Sequence, residues 1–169
     1  MLYKENLHWT QNVRHPLYEY QMLDGEKVLQ KMIFNYRKST YTAHCETENG
    51  HFVIDREGFF KTKLVLKEND QIIGRFYPKN WYSNSGIAEI DGEKIEYRIV
   101  NNPLAEIRFL YHDNLLISCG IKHQKGKIRV GIATAMHFDR HPLAKYLLAV
   151  SWYLLLPSTL EDDGMVLVV

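Results

Sequence analysis

The sequence lacks several features that mark well-defined classes of protein. Its two cysteines, Cys45 and Cys119, do not have the spacing of metal ligands, and such thiols are typical of small buried side chains in a reducing compartment. No apolar run reaches the roughly 20 residues that a transmembrane helix needs. The first residues, Met1–Asn6, contain no apolar segment of the kind found in signal peptides. We therefore expect a cytoplasmic protein without a transmembrane segment.

An excess of charge of one sign is also missing, since 21 basic residues are balanced by 20 acidic ones. This balance argues against nucleic acid as a partner and leaves only local patches to attract an anionic surface. There is no Walker loop, Rossmann glycine pattern or serine elbow, so the sequence predicts no cofactor and no catalytic residues. A length of 169 residues predicts a single domain, residues 1–169, with a sizeable core.

The clearest positive feature is an apolar segment near the C-terminus, residues 142–156. It begins at a proline, which suits the first position of a helix, and His141 or Asp139 is the expected N-cap. On a helical wheel its apolar side chains point in every direction, and only Lys145 and Ser151 interrupt them. A helix without a polar face has to be buried on all sides. We expect this helix to end before the next proline.

The remainder of the chain reads as strands, because apolar and polar residues alternate between short turn signals. The best two-residue hairpin turns are Asp24–Gly25 and Asp91–Gly92. The predicted strands are Leu17–Leu23, Lys27–Asn35, Thr40–Glu46, His51–Asp55, Phe59–Lys67, Gln71–Tyr77, Gly86–Ile90, Lys94–Val100, Leu104–Tyr111, Leu115–Ile121 and Lys127–Met136. No helix separates them, which favours a mostly antiparallel sandwich or barrel.

The apolar helix decides between a sandwich and a barrel. A sandwich interior is about 10 Å thick and is filled by its own side chains. A closed antiparallel barrel of about 11–12 strands can hold a helix along its axis. The lengths agree, because a helix over residues 142–156 is about 22 Å long and strands of this size span about 20 Å. We therefore predict a mainly β fold, a closed antiparallel barrel wrapped around a buried hydrophobic helix.

Three neighbouring segments, Phe52–Phe60, Lys61–Leu66 and Ile72–Phe76, resemble the repeated hairpins of the LURP-one-related and tubby-like proteins. Together with the apolar helix, the likeness extends roughly over residues 17–156. The resemblance implies a twelve-stranded barrel around a hydrophobic helix, a fold to which the phospholipid scramblases are related. It also implies a phospholipid head group as the class of ligand. The palmitoylated cysteine run of the scramblases is absent from this sequence.

Two predicted strands carry basic residues on the face that alternation turns outward. The predicted outward side chains are Lys61, Lys63, Val65 and Lys67 on one strand, and Lys127 and Arg129 on the other. If these strands are adjacent, their cations form a phosphate-binding surface. The simpler interpretation is that outward strand faces are ordinarily charged and that lysines protect sheet edges.

A second candidate is the segment Arg75–Tyr82, in which the cations Arg75 and Lys79 alternate with aromatic residues such as Trp81 in a predicted loop. This mixture suits head groups, stacked bases or a membrane interface. The alternative is a strand end whose aromatic rings fold back onto the rim of the barrel.

A third candidate is the sequence His137–Phe138–Asp139–Arg140–His141. On a strand, its two histidines and its aspartate would share one face, which makes a metal site conceivable. No fourth ligand is apparent, however, and Asp139 and His141 are also the natural capping residues of the following helix. Capping is the favoured interpretation, so no metal is predicted.

The leading functional hypothesis is a non-catalytic cytoplasmic binding or scaffolding module that recognises an anionic phospholipid head group or a protein partner. The candidate ligand-binding residues are Lys61, Lys63, Arg75, Lys79, Trp81, Lys127 and Arg129. One alternative is an enzyme with a site at the barrel mouth near His137, Asp139 and His141. The other is a purely structural protein that acts through surface contacts.

Overall fold

The computed structural model describes residues 2–3, 7–13, 17–35, 42–58, 63–80, 83–101, 105–124 and 127–160. Within these ranges the strands are β1 Leu2–Tyr3, β2 Leu7–Val13, β3 Leu17–Asp24, β4 Lys27–Asn35, β5 Thr42–Thr47, β6 Gly50–Glu57, β7 Lys63–Glu68, β8 Gln71–Pro78, β9 Ser85–Ile90, β10 Glu93–Asn101, β11 Ala105–Tyr111, β12 Asn114–Gln124 and β13 Lys127–Thr134. One turn of 3-10 helix, Phe138–Arg140, precedes the α-helix α1, Ala144–Leu160.

The strand predictions are confirmed for the described residues, since each predicted strand corresponds to one of β3–β13 with ends that differ by up to three residues. The predicted strand positions 40–41, 59–62 and 104 lie outside the described residues. The sequence analysis missed β1 and β2. In β2 the alternation is short, because only Leu7 and Trp9 are apolar and buried before the polar residues Thr10–Asn12. A pattern of two apolar positions does not stand out from a loop.

The described strands form one antiparallel sheet of 13 strands. Successive strands from β2 to β13 are neighbours, and β1 pairs with the remaining edge of β13. The turn Asp91–Gly92 connects β9 to β10 as predicted, with φ angles of 51° and 82° that suit a tight hairpin. The turn predicted at Asp24–Gly25 lies one residue later, because Asp24 pairs with Lys27. A mainly β, antiparallel architecture is therefore confirmed.

Among the residues of helix α1 whose side chains the structure describes, most are buried, and Lys145, Leu148 and Leu154 are partly buried. Tyr146, Leu147, Ala149, Val150 and Trp152 are all buried, although they point in different directions around the helix axis. This confirms the prediction drawn from its missing polar face. In the described part of the chain, no helix is both long enough and apolar enough to cross a membrane.

Aromatic side chains from β2 and β6, in the first half of the sheet, pack against the helix. Trp152 stacks on Trp9 of β2, with ring centroids 5.5 Å apart and planes inclined by 12°. Tyr146 meets Phe52 of β6 edge to face at 4.9 Å. The same helix contacts β11 and β12 from the other half of the sheet. The sheet therefore packs on the helix from both halves.

The two ends of the sheet approach each other. β2 and β13 contain residues whose Cα atoms lie within 8 Å of each other, whereas the hydrogen-bonded neighbours of β13 are β12 and β1. The structure thus shows one antiparallel sheet with an apolar helix packed on it, and the complete closure of the predicted barrel stays a prediction.

The bounds of the helix differ from the predicted residues 142–156. At its start, the Leu143 N–H donates to His141 Nδ1 at 3.2 Å, and the Ala144 N–H donates to the His141 carbonyl at 2.9 Å. His141 therefore caps the turn that leads into the helix, but the helix begins at Ala144 and not at the predicted Pro142. The predicted end before Pro157 was wrong, because the helical backbone continues to Leu160. Proline fixes φ near the helical value and removes one hydrogen bond, so it weakens a helix without always ending it.

The two polar residues that interrupt the apolar helix both have partners. The Ser151 hydroxyl donates to the Leu147 carbonyl at 2.6 Å. Lys145 Nζ lies 2.9 Å from Glu68 Oε1 at the end of β7, and the Tyr146 hydroxyl donates to the same oxygen at 3.0 Å. These contacts fasten the start of the helix to the turn between β7 and β8.

Candidate functional site

The two strands whose basic residues were to form a phosphate-binding surface lie far apart in the sheet. Five strands, β8 to β12, lie between β7 and β13 in the sheet. Lys63 is exposed at the start of β7. Lys127 and Arg129 belong to β13, and the structure does not describe their side chains. Lys61 also lies outside the described residues. The two strands are not adjacent in the sheet, so the condition for a phosphate-binding surface built by both of them is not met.

Alternation along β7 predicts which face a residue takes but not whether the residue is exposed. Val65 was expected among the outward side chains, yet it is only 1% exposed and does not belong to the core cluster. Its neighbours across the sheet are Asp55 on β6 and Arg75 on β8. Val65 is therefore buried on the outer face of the sheet, at a position between Asp55 and Arg75.

Lys67 of the same strand is engaged in an ion-pair network. Its Nζ lies 3.0 Å from Asp55 Oδ2 and 3.1 Å from Glu57 Oε1. The hydrogen bond to Asp55 raises the pKa of Lys67. Burial raises the pKa of Asp55, but hydrogen bonds from Lys67 and two further donors outweigh it and leave that pKa below its ordinary value. Lys67 is thus a structural cation with little charge to offer a ligand.

The second predicted segment is strand rather than loop as far as Pro78. In β8, Phe76 points into the core and is buried, whereas Arg75 and Tyr77 on either side of it are exposed. Lys79 is exposed immediately after the strand, and Trp81 lies outside the described residues. The alternation of β8 therefore turns a cation and an aromatic ring to the same outer face.

These residues combine with their neighbours into one surface. We call it the β7–β9 surface, and it consists of Lys63, Arg75, Tyr77, Lys79 and Ile87. Tyr77 and Ile87 are paired across β8 and β9 and are 50% and 44% exposed. In the described part of the chain, none of the three cations has an ion-pair partner, whereas the nearby Glu57 and Glu96 are paired with Lys67 and Arg98. The surface therefore combines three cations with an apolar pair, and it adjoins the exposed carboxylates of Glu89 and Asp91.

A depression with a volume of about 300 Å³ opens beside this surface. Its charged lining consists of Arg75 on β8, Glu89 on β9 and Asp91 in the following turn, and the Tyr77 ring forms part of the wall. Sequence analysis identified Arg75 but missed both acidic residues. The signal in the sequence was weak, because isolated carboxylates on strands do not reveal which strand lies next to them.

The third predicted site does not have the geometry of a strand. β13 ends at Thr134, His137 adopts a left-handed conformation with φ of 61°, and a 3-10 turn follows. The strand face that His137, Asp139 and His141 were to share is therefore absent, and His141 Nδ1 is occupied as a helix cap. Among the described residues, no group of three potential ligands is close enough to hold a metal ion.

Cys45, Cys119 and Ser118 lie in surroundings that do not activate a nucleophile. Cys45 and Cys119 are free and buried, and burial raises the pKa of both thiols, which keeps them protonated. The Ser118 hydroxyl donates to Glu106, whose carboxylate also accepts hydrogen bonds from Arg108 at 2.9 and 3.1 Å. The Glu106 carboxylate is therefore shared between Ser118 and its ion pair with Arg108.

No family model, curated protein or solved structure matches this chain. The functional interpretation therefore depends on the surface geometry.

Proposed function

We propose that this protein is a non-catalytic, tubby-like barrel of the LURP-one-related type that docks on anionic phospholipid membranes from the cytoplasmic side. The observation that carries the proposal is the β7–β9 surface, where three exposed cations, which form no ion pair with any described residue, flank the exposed Tyr77–Ile87 pair. The one described sheet, with successive strands as neighbours and an apolar C-terminal helix, supports the family and a closed barrel.

The filled interior supports binding on the outside of the protein. The space between the two halves of the sheet is occupied by α1, whose aromatic residues pack against β2, β4 and β6. Barrels that carry a ligand inside leave this space free. A ligand of this protein is therefore expected on an outer face of the sheet.

The composition of the β7–β9 surface suits a membrane interface. Tyrosine places an apolar ring and a polar hydroxyl at the depth of the head groups, and lysine and arginine extend their charges towards phosphates. Each cation near an anionic leaflet contributes about 1 kcal/mol. Lys63, Arg75 and Lys79 together therefore contribute about 3 kcal/mol, which corresponds to a factor of about 100 in binding.

Vesicle sedimentation tests the proposal. The protein should bind vesicles that contain phosphatidylglycerol at low salt, and binding should weaken as salt shortens the Debye length towards about 8 Å. The triple variant Lys63→Gln/Arg75→Gln/Lys79→Gln should bind about 100-fold more weakly. A matched control, Lys27→Gln/Lys31→Gln/Arg108→Gln, loses the same charge elsewhere on the molecule and should bind as the wild type does, apart from a small nonspecific loss.

Two results would contradict the proposal. One is the absence of binding to anionic vesicles at low salt, which would favour a scaffold for a protein partner. The other is equal loss of binding in both triple variants, which would show that net charge matters and that the β7–β9 surface does not. Both variants should keep the melting temperature of the wild type.

A further inference from the structure

We infer that the depression beside Arg75 binds a phosphoethanolamine head group, with Arg75 on the phosphate and with Glu89 and Asp91 on the primary ammonium. The inference rests on the proposed function, because the depression shares Arg75 and Tyr77 with the β7–β9 surface. It adds a preference among phospholipids to a general attraction for negative charge.

Opposite charges face each other at the depression and form no ion pair with each other or with any other described residue. Arg75 and Glu89 are directly opposite across β8 and β9. Cβ atoms in such positions are about 5 Å apart, a distance that long side chains bridge easily. Within the described part of the chain, however, neither residue takes part in an ion pair. Lys94 is opposite Glu89 on its other side, on β10, and it leaves Glu89 unpaired as well.

The backbone of β8 is irregular at the depression. The pairing of β7 with β8 shifts between Leu66 and Lys67, so Ile73 forms a β-bulge at the depression. The Asp91 N–H donates to the Ile73 carbonyl at 2.8 Å, which fixes the turn against the bulge. Bulges commonly redirect side chains next to binding sites. Here the bulge leaves the exposed Asp91 side chain beside the charged pair of Arg75 and Glu89.

The chemistry of the lining selects a zwitterion. The Arg75 guanidinium can donate two hydrogen bonds to the oxygens of one phosphate. A primary ammonium has three N–H donors for carboxylate oxygens. A ligand with only negative charge would be attracted by Arg75 but repelled by Glu89 and Asp91. A quaternary ammonium such as choline has no N–H to donate, so it leaves both carboxylates without hydrogen bonds. The depression therefore fits phosphoethanolamine better than phosphocholine or phosphoglycerol.

Vesicles of equal charge separate this preference from simple electrostatics. One set contains phosphatidylglycerol with phosphatidylcholine, and the other contains the same mole fraction of phosphatidylglycerol with phosphatidylethanolamine. We expect at least threefold tighter binding to the ethanolamine set. The variant Glu89→Gln/Asp91→Asn should lose this preference and still bind both sets, whereas the control Glu26→Gln/Asp70→Asn, with the same change in charge at other turns, should retain it.

Soluble head groups distinguish recognition of the head group from an effect of lipid packing. Free phosphoethanolamine should displace the protein from the ethanolamine vesicles at concentrations at which phosphocholine does not. If the double variant fails to fold, Glu89→Gln alone provides the same test.

Equal binding to the two vesicle sets, or a preference that survives in the Glu89→Gln/Asp91→Asn variant, overturns this inference and leaves the proposed function intact. Absence of binding to both sets overturns the two together.

Discussion

Placing a carboxylate inside α1 tests the enclosure of the helix directly. Val150 is fully buried, at 0% exposure, and belongs to the core cluster that joins the helix to the sheet. Its neighbours one turn away, Tyr146 and Tyr153, are buried as well. The variant Val150→Asp keeps a side chain of similar size and adds only polarity and charge.

The expected loss of stability has two parts. Replacing the valine methyl groups with a buried polar group costs about 3–6 kcal/mol, from lost apolar burial and an unsatisfied polar group. Keeping the aspartate protonated in the folded state at pH 7 costs about 4 kcal/mol more, because its ordinary pKa is about 3.9 and each unit is worth about 1.4 kcal/mol. The sum, about 7–10 kcal/mol, lies within the range of total free energies of unfolding of domains, about 5–15 kcal/mol.

The variant Val150→Asn separates the two parts, because asparagine has the same shape without the charge. The free energy of unfolding, from urea titration, should be about 4 kcal/mol lower for Val150→Asp than for Val150→Asn at pH 7. The folded-state pKa of a buried Asp is raised, so this difference should grow above pH 4 and disappear below it. Ile87→Asp, at a 44% exposed position on β9, should leave the protein folded at every pH in this range.

Equal stability of Val150→Asp and Val150→Asn at pH 7 would show that the carboxylate reaches water and would refute the enclosed helix. If Val150→Asn does not fold, Val150→Thr carries the comparison as a smaller polar change, and the charged variant should still be the less stable of the two.

Three further predictions concern other contacts. The hydrogen bond from Lys145 lowers the pKa of Glu68, so the stability that this pair provides is complete above the ordinary glutamate pKa of about 4.3 and is lost as pH falls through the lower folded-state value. Glu68→Gln should therefore flatten the acid side of a plot of unfolding free energy against pH. His141→Ala should destabilise the protein by about 1 kcal/mol in urea, as expected for a lost helix cap, and His137→Asn nearby should not. In sedimentation with neutral phosphatidylcholine vesicles the protein should stay in the supernatant, and stable partitioning would contradict the placement of α1 in the core.

The strands and the burial of the helix were accessible from the sequence because both depend on local periodicity. Alternation identified β3–β13, and the lack of a polar face identified α1 as buried. Periodicity was less informative where it was short, as in β2, and it did not place the end of the helix, since a proline permits a helical backbone that packing favours. It also predicted an outward face for Val65 without revealing that this residue is buried there.

The candidate site was accessible only in part. Arg75 and Lys79 stand out in the sequence as cations among aromatic residues, but Ile87, Glu89 and Asp91 do not. Their importance arises from pairing between β8 and β9, which brings Tyr77 beside Ile87 and Arg75 beside Glu89. Ion pairing is likewise a tertiary property, because it depends on which strands are neighbours. Lys67 on β7 pairs with Asp55 on β6, so it does not contribute a free cation to the basic surface that the sequence predicts.

The sequence by itself thus determined which residues form most of the strands, which face of each strand is apolar, and that the C-terminal helix is buried against the sheet. These properties follow from hydrophobic burial, which acts on each segment through its own period. Only the tertiary structure decided that Lys63 lies near Arg75 rather than near Lys127, because strand order and register depend on the pairing of distant segments. Charge recognition requires several side chains at one place, and their meeting is a property of the sheet as a whole.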